Sequence, residues 1–335
     1  MTEFLCSIIR GINTFTNSYG WAIVVFTILV RLVLMPLEVK SRKGMRQMQA
    51  LQPQMEALQK KYANDKEKLT QKQQELYRKA HYNPLSGCLP MLIQMPILFL
   101  MFGAMRQIAN EQLAMQAFAY LQGETPLFEG WLWVKNVWMP DSPFSPLAPD
   151  LNSLNMIPWE VWTKVYATLS ESQAASILAH NPTLAGLLDF TKDGLKDTLS
   201  VMLPAMQSMP AYVESIQPLA GWQNISFIFF KITVYVRFNG LFLLPILAAV
   251  TQYLQTALNP QMQQQPSANG AGTGNFMKYF FPLFSLFICS SYNAAFAVYW
   301  VVVNIVAGAQ SVVLDRYFTN KEKKETATIG EGTVK

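Results

Sequence analysis

The chain has 335 residues, of which 51% are hydrophobic and only 14% charged, with a formal net charge of +5. That is too apolar for an ordinary soluble protein of this length, and the apolar residues fall in blocks long enough to cross a bilayer. Cys6, Cys88 and Cys289 are far apart and His81 and His180 stand alone, which excludes a disulfide framework and a His/Cys metal centre.

Residues 1–19 lack the basic start of a signal peptide and carry Glu3 early. Phe4, Leu5, Ile8, Ile9 and Ile12 instead predict a short amphipathic helix on the outer membrane surface, with those side chains facing lipid. The first spanning helix is predicted at 20–37, uncharged except for Arg31 about two-thirds of the way along. A guanidinium at that depth costs about 2.5–3.5 kcal/mol on insertion scales. No Asp or Glu lies inside another apolar run, so the charge calls for a water-filled cavity flanked by lipid. The alternative is that Arg31 snorkels to the inner headgroups.

Residues 38–87 read as a helical hairpin. Met45, Met48, Gln52, Met55, Leu58 and Tyr62 recur at helical steps, as do Leu69, Gln73, Leu76 and Ala80, with a break near Asn64-Asp65 and a kink expected at Pro53. From Lys40 to Tyr82 there are 11 basic and 4 acidic residues, which marks the cytoplasmic side. Two roles are open for the basic face carrying Arg42, Lys43, Arg46, Lys60, Lys61, Arg78 and Lys79. It anchors topology alone, or it docks anionic lipid or ribosomal RNA.

The second span is predicted at 88–106, bent by Pro90 and Pro96. Its Met91, Met95, Met101 and Met105 suit either plain core filling or a surface for varied apolar partners. A long outer loop, 107–238, follows. From Ile108 to Val236 it holds 5 lysines against 11 acids, so it lies outside. Trp131, Trp133, Trp138, Trp159, Trp162 and Trp222 suggest helices hugging the interface. The stretch 225–238 is apolar but β-branched and interrupted by Lys231 and Arg237, which predicts interfacial or strand-like structure rather than a sixth span.

The third span is placed at 239–258, a cytoplasmic loop at 259–275, the fourth span at 276–290 and the fifth at 293–314, with a polar turn at Ser290-Ser-Tyr-Asn293. The tail 315–335 is cytoplasmic. An odd number of spans, the N-terminus outside and the C-terminus inside a plasma membrane agree with the charge asymmetry. Each span carries polar residues at helical spacing: Thr27 one turn before Arg31, Gln94, then Gln252 and Gln255 beside Thr251, then Trp300, Asn304, Gly308 and Ser311 on one stripe. Converging, these would wet a groove around Arg31. Gln94 and Asn304 are equally readable as interhelical glue, and Trp300 as packing.

Three motifs are more specific. Asn83-Pro84 runs through Gly87-Cys88-Leu89-Pro90 to Gln94-Met-Pro96-Ile97. Leu244-Pro245 precedes Gln255. Phe281-Pro282 and Ser285 precede Ala295-Phe-Ala-Val-Tyr299-Trp300 and Asn304. In this order, over about 20–107 and 239–318, the chain resembles the YidC-type membrane protein insertases. The resemblance implies an all-α polytopic membrane protein with five transmembrane helices around a hydrophilic groove in the inner half of the bilayer, where Arg31 matches the groove arginine. It implies insertion of client membrane proteins, alone or beside the Sec translocon, with hairpin and tail contacting the ribosome or the signal recognition particle pathway, and contact with membrane lipids. Lacking a further N-terminal span and a large periplasmic domain, the chain is expected to be of the Gram-positive type. Its long outer loop matches nothing in that pattern, and the tail after Tyr317 is short and only mildly basic.

No Walker-type loop, HExxH motif or nucleophile–base pairing is present, so no enzyme activity, cofactor, metal or DNA partner is expected. The competing classes are a small-solute transporter, which would want an intramembrane acid or an inverted repeat, and a folding chaperone that works only with the translocon.

Overall fold

The computed structural model describes residues 2–82, 85–227, 230–258 and 273–332. The pair Asn83-Pro84 and most of the expected 259–275 loop lie outside the described residues. The chain is helical, with one small two-stranded sheet among the described residues, and it divides into two compact units. The first comprises Met1–Phe26, Leu100–Val250 and Leu283–Val301; the second comprises Thr27–Phe99, Thr251–Pro282 and Val302–Lys335.

In the first unit, α1 (Thr2–Thr16) is the expected amphipathic helix, but its apolar face is shared differently. Cys6 and Ile9 are fully buried against protein, and the Cys6 thiol donates to the Ala104 carbonyl at 3.6 Å; Phe4 and Phe15 stay exposed. Burial pushes that thiol up to about 11. The reason Ile9 does not face lipid is an ionic clasp on the same side of the helix. Arg10 bonds Glu3 at 3.1 Å and Glu111 at 2.7 Å, Lys164 bonds Glu111 at 2.8 Å, and Gln107 donates to Glu3.

Helix α5 (Leu85–Leu121) has 37 residues, about 55 Å at 1.5 Å per residue, against about 30 Å of hydrocarbon. It does not stop at 106, where the apolar run ends, because nothing breaks a helix before Gly123. There the chain turns with φ +78°, and a Cβ would meet the His180 ring. The expected loop at 107–238 is thus led off by a helical stalk.

After the stalk come α6 (Leu151–Asn155), α7 (Trp159–Tyr166), α8 (Glu171–His180), α9 (Leu195–Gln207) and α10 (Pro210–Ser215), of which α7 and α10 meet it through Trp162 and Tyr212. Phe118 of the stalk meets Trp162 edge-on at 5.5 Å, and Trp162 stacks on Phe190 at 6.0 Å. Tryptophans expected to hug the membrane interface therefore divide: Trp138 and Trp162 are core residues, whereas Trp222 is about half exposed. A domain with so few apolar helical faces needs its largest side chains inside. Residues 225–238 carry the expected strands, β1 (Ile225–Phe227) antiparallel to β2 (Phe230–Ile232), with Ser226 opposite Lys231.

Two buried polar residues close the domain onto the next helix. Asn239 donates through Nδ2 to the carbonyls of Asn136, Met139 and Pro140, and its Oδ1 accepts from the Asn136 N–H. Asp141 accepts from the backbone N–H of Phe242 at 3.2 Å and Leu244 at 2.7 Å. It caps α11 (Leu243–Ala257), which accordingly starts four residues after the expected boundary at 239. Among the described residues that follow are two helices, α12 (Thr273–Ser291) and α13 (Ala294–Gly332). Residues Ala294–Lys321 of α13 form the one described helix long and apolar enough to cross a membrane unaided.

In the second unit, α2 (Tyr19–Val33) ends earlier than the expected Leu37. Pro36 has no N–H to offer the Leu32 carbonyl and its ring crowds that carbonyl, so the chain bends by 54° into α3 (Met35–Lys61). α3 continues through Pro53, and α4 (Lys66–Lys79) folds back after it, capped by Asp65, which accepts from the Lys68 N–H at 3.0 Å.

Candidate functional site

Three apolar helices bring polar side chains together in the second unit. On α2, Thr27 is buried and Arg31, one turn later, is half-buried in the last turn before the bend. A cation in that turn lies at the negative end of the helix dipole, which favours it by about 0.3–1 kcal/mol. On α13, Asn304 and Ser311 are buried, and Gln310 donates to the Arg31 carbonyl at 3.2 Å, serving one of the acceptors that a helix end leaves open. On α11, Thr251 accepts from Asn304 Nδ2 at 3.4 Å, and Gln252 donates to Gln255 at 3.4 Å. α13 is thus bonded to α2 at Gln310 and to α11 at Asn304.

Gly308 lies between those two contacts on α13, and a Cβ there would come within 3.9 Å, an ordinary contact distance, of Leu258 just past the end of α11.

Of the residues expected in a groove, Thr27, Arg31, Gln252, Gln255, Asn304 and Ser311 fall in this unit. Gln94 lies on α5, and its side chain is outside the described residues. Trp300 falls in the first unit, where its indole N–H donates to Ser285 at 3.0 Å and its ring packs on Phe296. Sequence spacing put Trp300 on the Asn304 stripe; the partner on α12 sets its environment instead. Gln310 and Thr251 complete the cluster. Thr251 was legible as a neighbour of Gln252, whereas Gln310 gave no signal because it lies one residue off the stripe.

The basic hairpin is also divided. Lys43, Lys60, Lys61, Arg78 and Lys79 are exposed. Arg42 is buried, bonding Glu38 at 3.4 Å and Asp315 at 3.5 Å. Arg46 donates to the Asp315 carbonyl at 2.9 Å and to Thr319 at 3.0 Å, and its guanidinium lies 5.3 Å from the Phe318 ring centre. These two arginines were expected on a solvated docking face. Residues i and i+4 of α3 instead face the C-terminal part of α13, so they tie the hairpin to the chain's own tail.

Comparison with known proteins agrees with this architecture. The family described as the 60Kd inner membrane protein matches residues 11–211 and 197–323. The chain is 43% identical over 106 residues to a protein of Fusobacterium nucleatum named Membrane protein insertase YidC, covering 32% of this chain and 52% of that one. A protein of that name from Clostridium perfringens is 31% identical over 200 residues, 59% of this chain and 75% of its own length. One from Chlorobaculum tepidum is 26% identical over 320 residues, 96% of this chain but 36% of its own length. With the family model covering most of its length and relatives of that name matched along it, this protein belongs to the 60Kd inner membrane protein family, that of the YidC insertases.

Proposed function

We propose that the chain is a membrane protein insertase of the plasma membrane. Five spans, α2, the first part of α5, α11, α12 and the first part of α13, enclose a hydrophilic groove that opens to cytoplasm and lipid. The observation that carries this reading is the gathering of Thr27, Arg31, Thr251, Gln252, Gln255, Asn304 and Ser311 from three apolar helices into one compact unit. Polar side chains at that density inside apolar helices are costly unless they meet water or one another.

The physical task is to move the polar flank of a client across about 30 Å of hydrocarbon. A wet groove reaching partway into the bilayer shortens that path. Arg31 attracts acidic flank residues where the local dielectric is low and Coulomb forces are stronger than in water. The apolar body of the client then leaves sideways into lipid, driven by about 0.8 kcal/mol per buried CH₂. No covalent step or nucleotide is required. The exposed lysines of the hairpin and Arg78 offer a contact for the ribosome or the signal recognition particle pathway, and the Sec translocon is a partner for larger clients.

Arg31→Ala tests the mechanism in vesicles of pure lipid, with single-span clients carrying acidic or neutral flanks. Insertion of acidic-flank clients falls about tenfold, the equivalent of about 1.4 kcal/mol, and neutral clients change less than twofold. Equal loss for both classes overturns the electrostatic role of Arg31. Solute uptake without client insertion would make the protein a transporter, and insertion seen only with a translocon added would make it a dependent chaperone.

A further inference from the structure

Next to the start of α2, the first unit carries an apolar projection that the insertase mechanism does not use. Residues Trp131 to Val134 form a tight turn closed by two backbone bonds, Trp131 N–H to the Val134 carbonyl at 2.8 Å and Val134 N–H to the Trp131 carbonyl at 2.9 Å. At its tip Leu132 is 63% exposed with φ +51°, a left-handed conformation that glycine or asparagine takes more readily than leucine. A bulky apolar residue kept exposed on a strained backbone points to a function rather than to packing.

The turn is held rigidly. Trp131 meets Trp21 edge-on at 5.6 Å, and it lies so close to Gly20 that any Cβ there would run into the indole. The Trp133 N–H donates to Asp141 at 3.0 Å, the same carboxylate that caps α11. Beside it, Leu241 and Leu243 are exposed on the approach to α11, and Phe242 again has a left-handed backbone, φ +64°. Further exposed apolar residues follow along both helices, Trp21 and Val25 on α2 and Ile246 and Val250 on α11. Lys135, exposed one residue past the turn, supplies a cation with its ammonium 4.6 Å from the Phe238 ring centre. The nearby Glu129 carboxylate is occupied by the Tyr19 N–H.

We propose that the Trp131–Val134 turn and Leu241–Leu243 form a lipid wedge, seated at the headgroup–acyl boundary of the outer leaflet, that holds the outer domain down on the membrane. The occupant is phospholipid because the wedge continues the outward faces of two helices that already face lipid, and because tryptophans and a lysine at that level are what a headgroup region favours. This inference rests on the reading of α2 and α11 as spans.

The test uses the full chain with its three cysteines replaced by alanine and one new cysteine, Leu132→Cys or Ile305→Cys, labelled with an environment-sensitive fluorophore. Each is placed in phosphatidylcholine/phosphatidylglycerol vesicles bearing spin labels at the headgroup or deep on the acyl chain. A label at 132 is expected to emit blue-shifted and to be quenched at least twofold more by the headgroup spin label than by the deep one. A label at 305 is expected to show the reverse preference. Water-like, unquenched emission at 132 with deep quenching at 305 overturns the wedge alone; loss of quenching at both positions overturns the spanning reading and the wedge with it. Shielding at 132 that occurs in native membranes but not in pure lipid assigns the surface to a protein partner and also overturns the proposal. Leu132→Gly supplies a second readout. It relieves the backbone, so the unfolding midpoint in detergent holds or rises, while amide exchange of the turn in vesicles speeds up severalfold; unchanged exchange counts against the wedge.

Discussion

Asp141 shows how much a single buried residue organises. Its carboxylate is wholly buried and accepts from the Trp133 indole, the Phe242 N–H and the Leu244 N–H. It therefore joins the Trp131–Val134 turn to the first turn of α11, where the helix dipole also favours an anion. Asp141→Ala leaves these donors without an acceptor and removes a cap, and should destabilise the fold by about 2–4 kcal/mol in a thermal or denaturant unfolding measurement in detergent. A loss below about 1 kcal/mol would mean that water takes over the carboxylate's bonds. Nothing in the sequence marked Asp141, since an Asp-Ser-Pro run reads as a turn signal wherever it occurs. Arg31 is the opposite case. Its charge inside an apolar run was visible at once, yet its place in the last helical turn depended on Pro36 five residues later.

Among the elements, α1 and the hairpin owe their positions to ion pairs rather than to their own periodicity. α1 is fastened by Glu3, Arg10, Gln107, Glu111 and Lys164. Desolvation raises the Glu3 carboxyl, but hydrogen bonds from Arg10 and Gln107 and the charges of Lys164 and Arg10 outweigh it and hold the group below its ordinary value of 4.5. A carboxylate lowered on folding adds stability that is present above its unfolded value and is lost as the pH falls through the folded one. The docking of α1 should accordingly loosen on acidification below about pH 4.5, seen as faster proteolysis or amide exchange in residues 2–16, and Glu3→Gln should flatten that dependence. Equal acid sensitivity in Glu3→Gln would assign the effect to another group. The hairpin is governed in the same way: helical steps in Met45–Tyr62 gave α3 and those in Leu69–Ala80 gave α4, while Arg42 and Arg46 chose the face that meets Asp315.

For the whole molecule, charge distribution is the main determinant. Eleven cations to four acids in the hairpin, against five lysines to eleven acids in residues 108–236, are the charge bias on which the proposed topology, with the hairpin in the cytoplasm, rests. A cysteine at exposed Lys192 should react with an impermeant thiol reagent added to intact cells stripped of any outer barrier. A cysteine at exposed Lys60 should react only after the membrane is opened. Reaction of both from one side would invalidate the topology.

Amphipathic period, apolar run length and charge bias are local or additive properties, so the sequence by itself determined the helical class, the two hairpin helices, the strand-like 225–238 region and the family motifs. Tertiary structure alone decided what depends on partners distant in the chain. It packed Phe118 of the α5 stalk against Trp162 and took Trp138 and Trp162 into a core. It turned Arg42 and Arg46 inward and set Gln310 against the Arg31 carbonyl. A side chain's spacing states which face of its helix it occupies, but only the packing of another element states what that face meets.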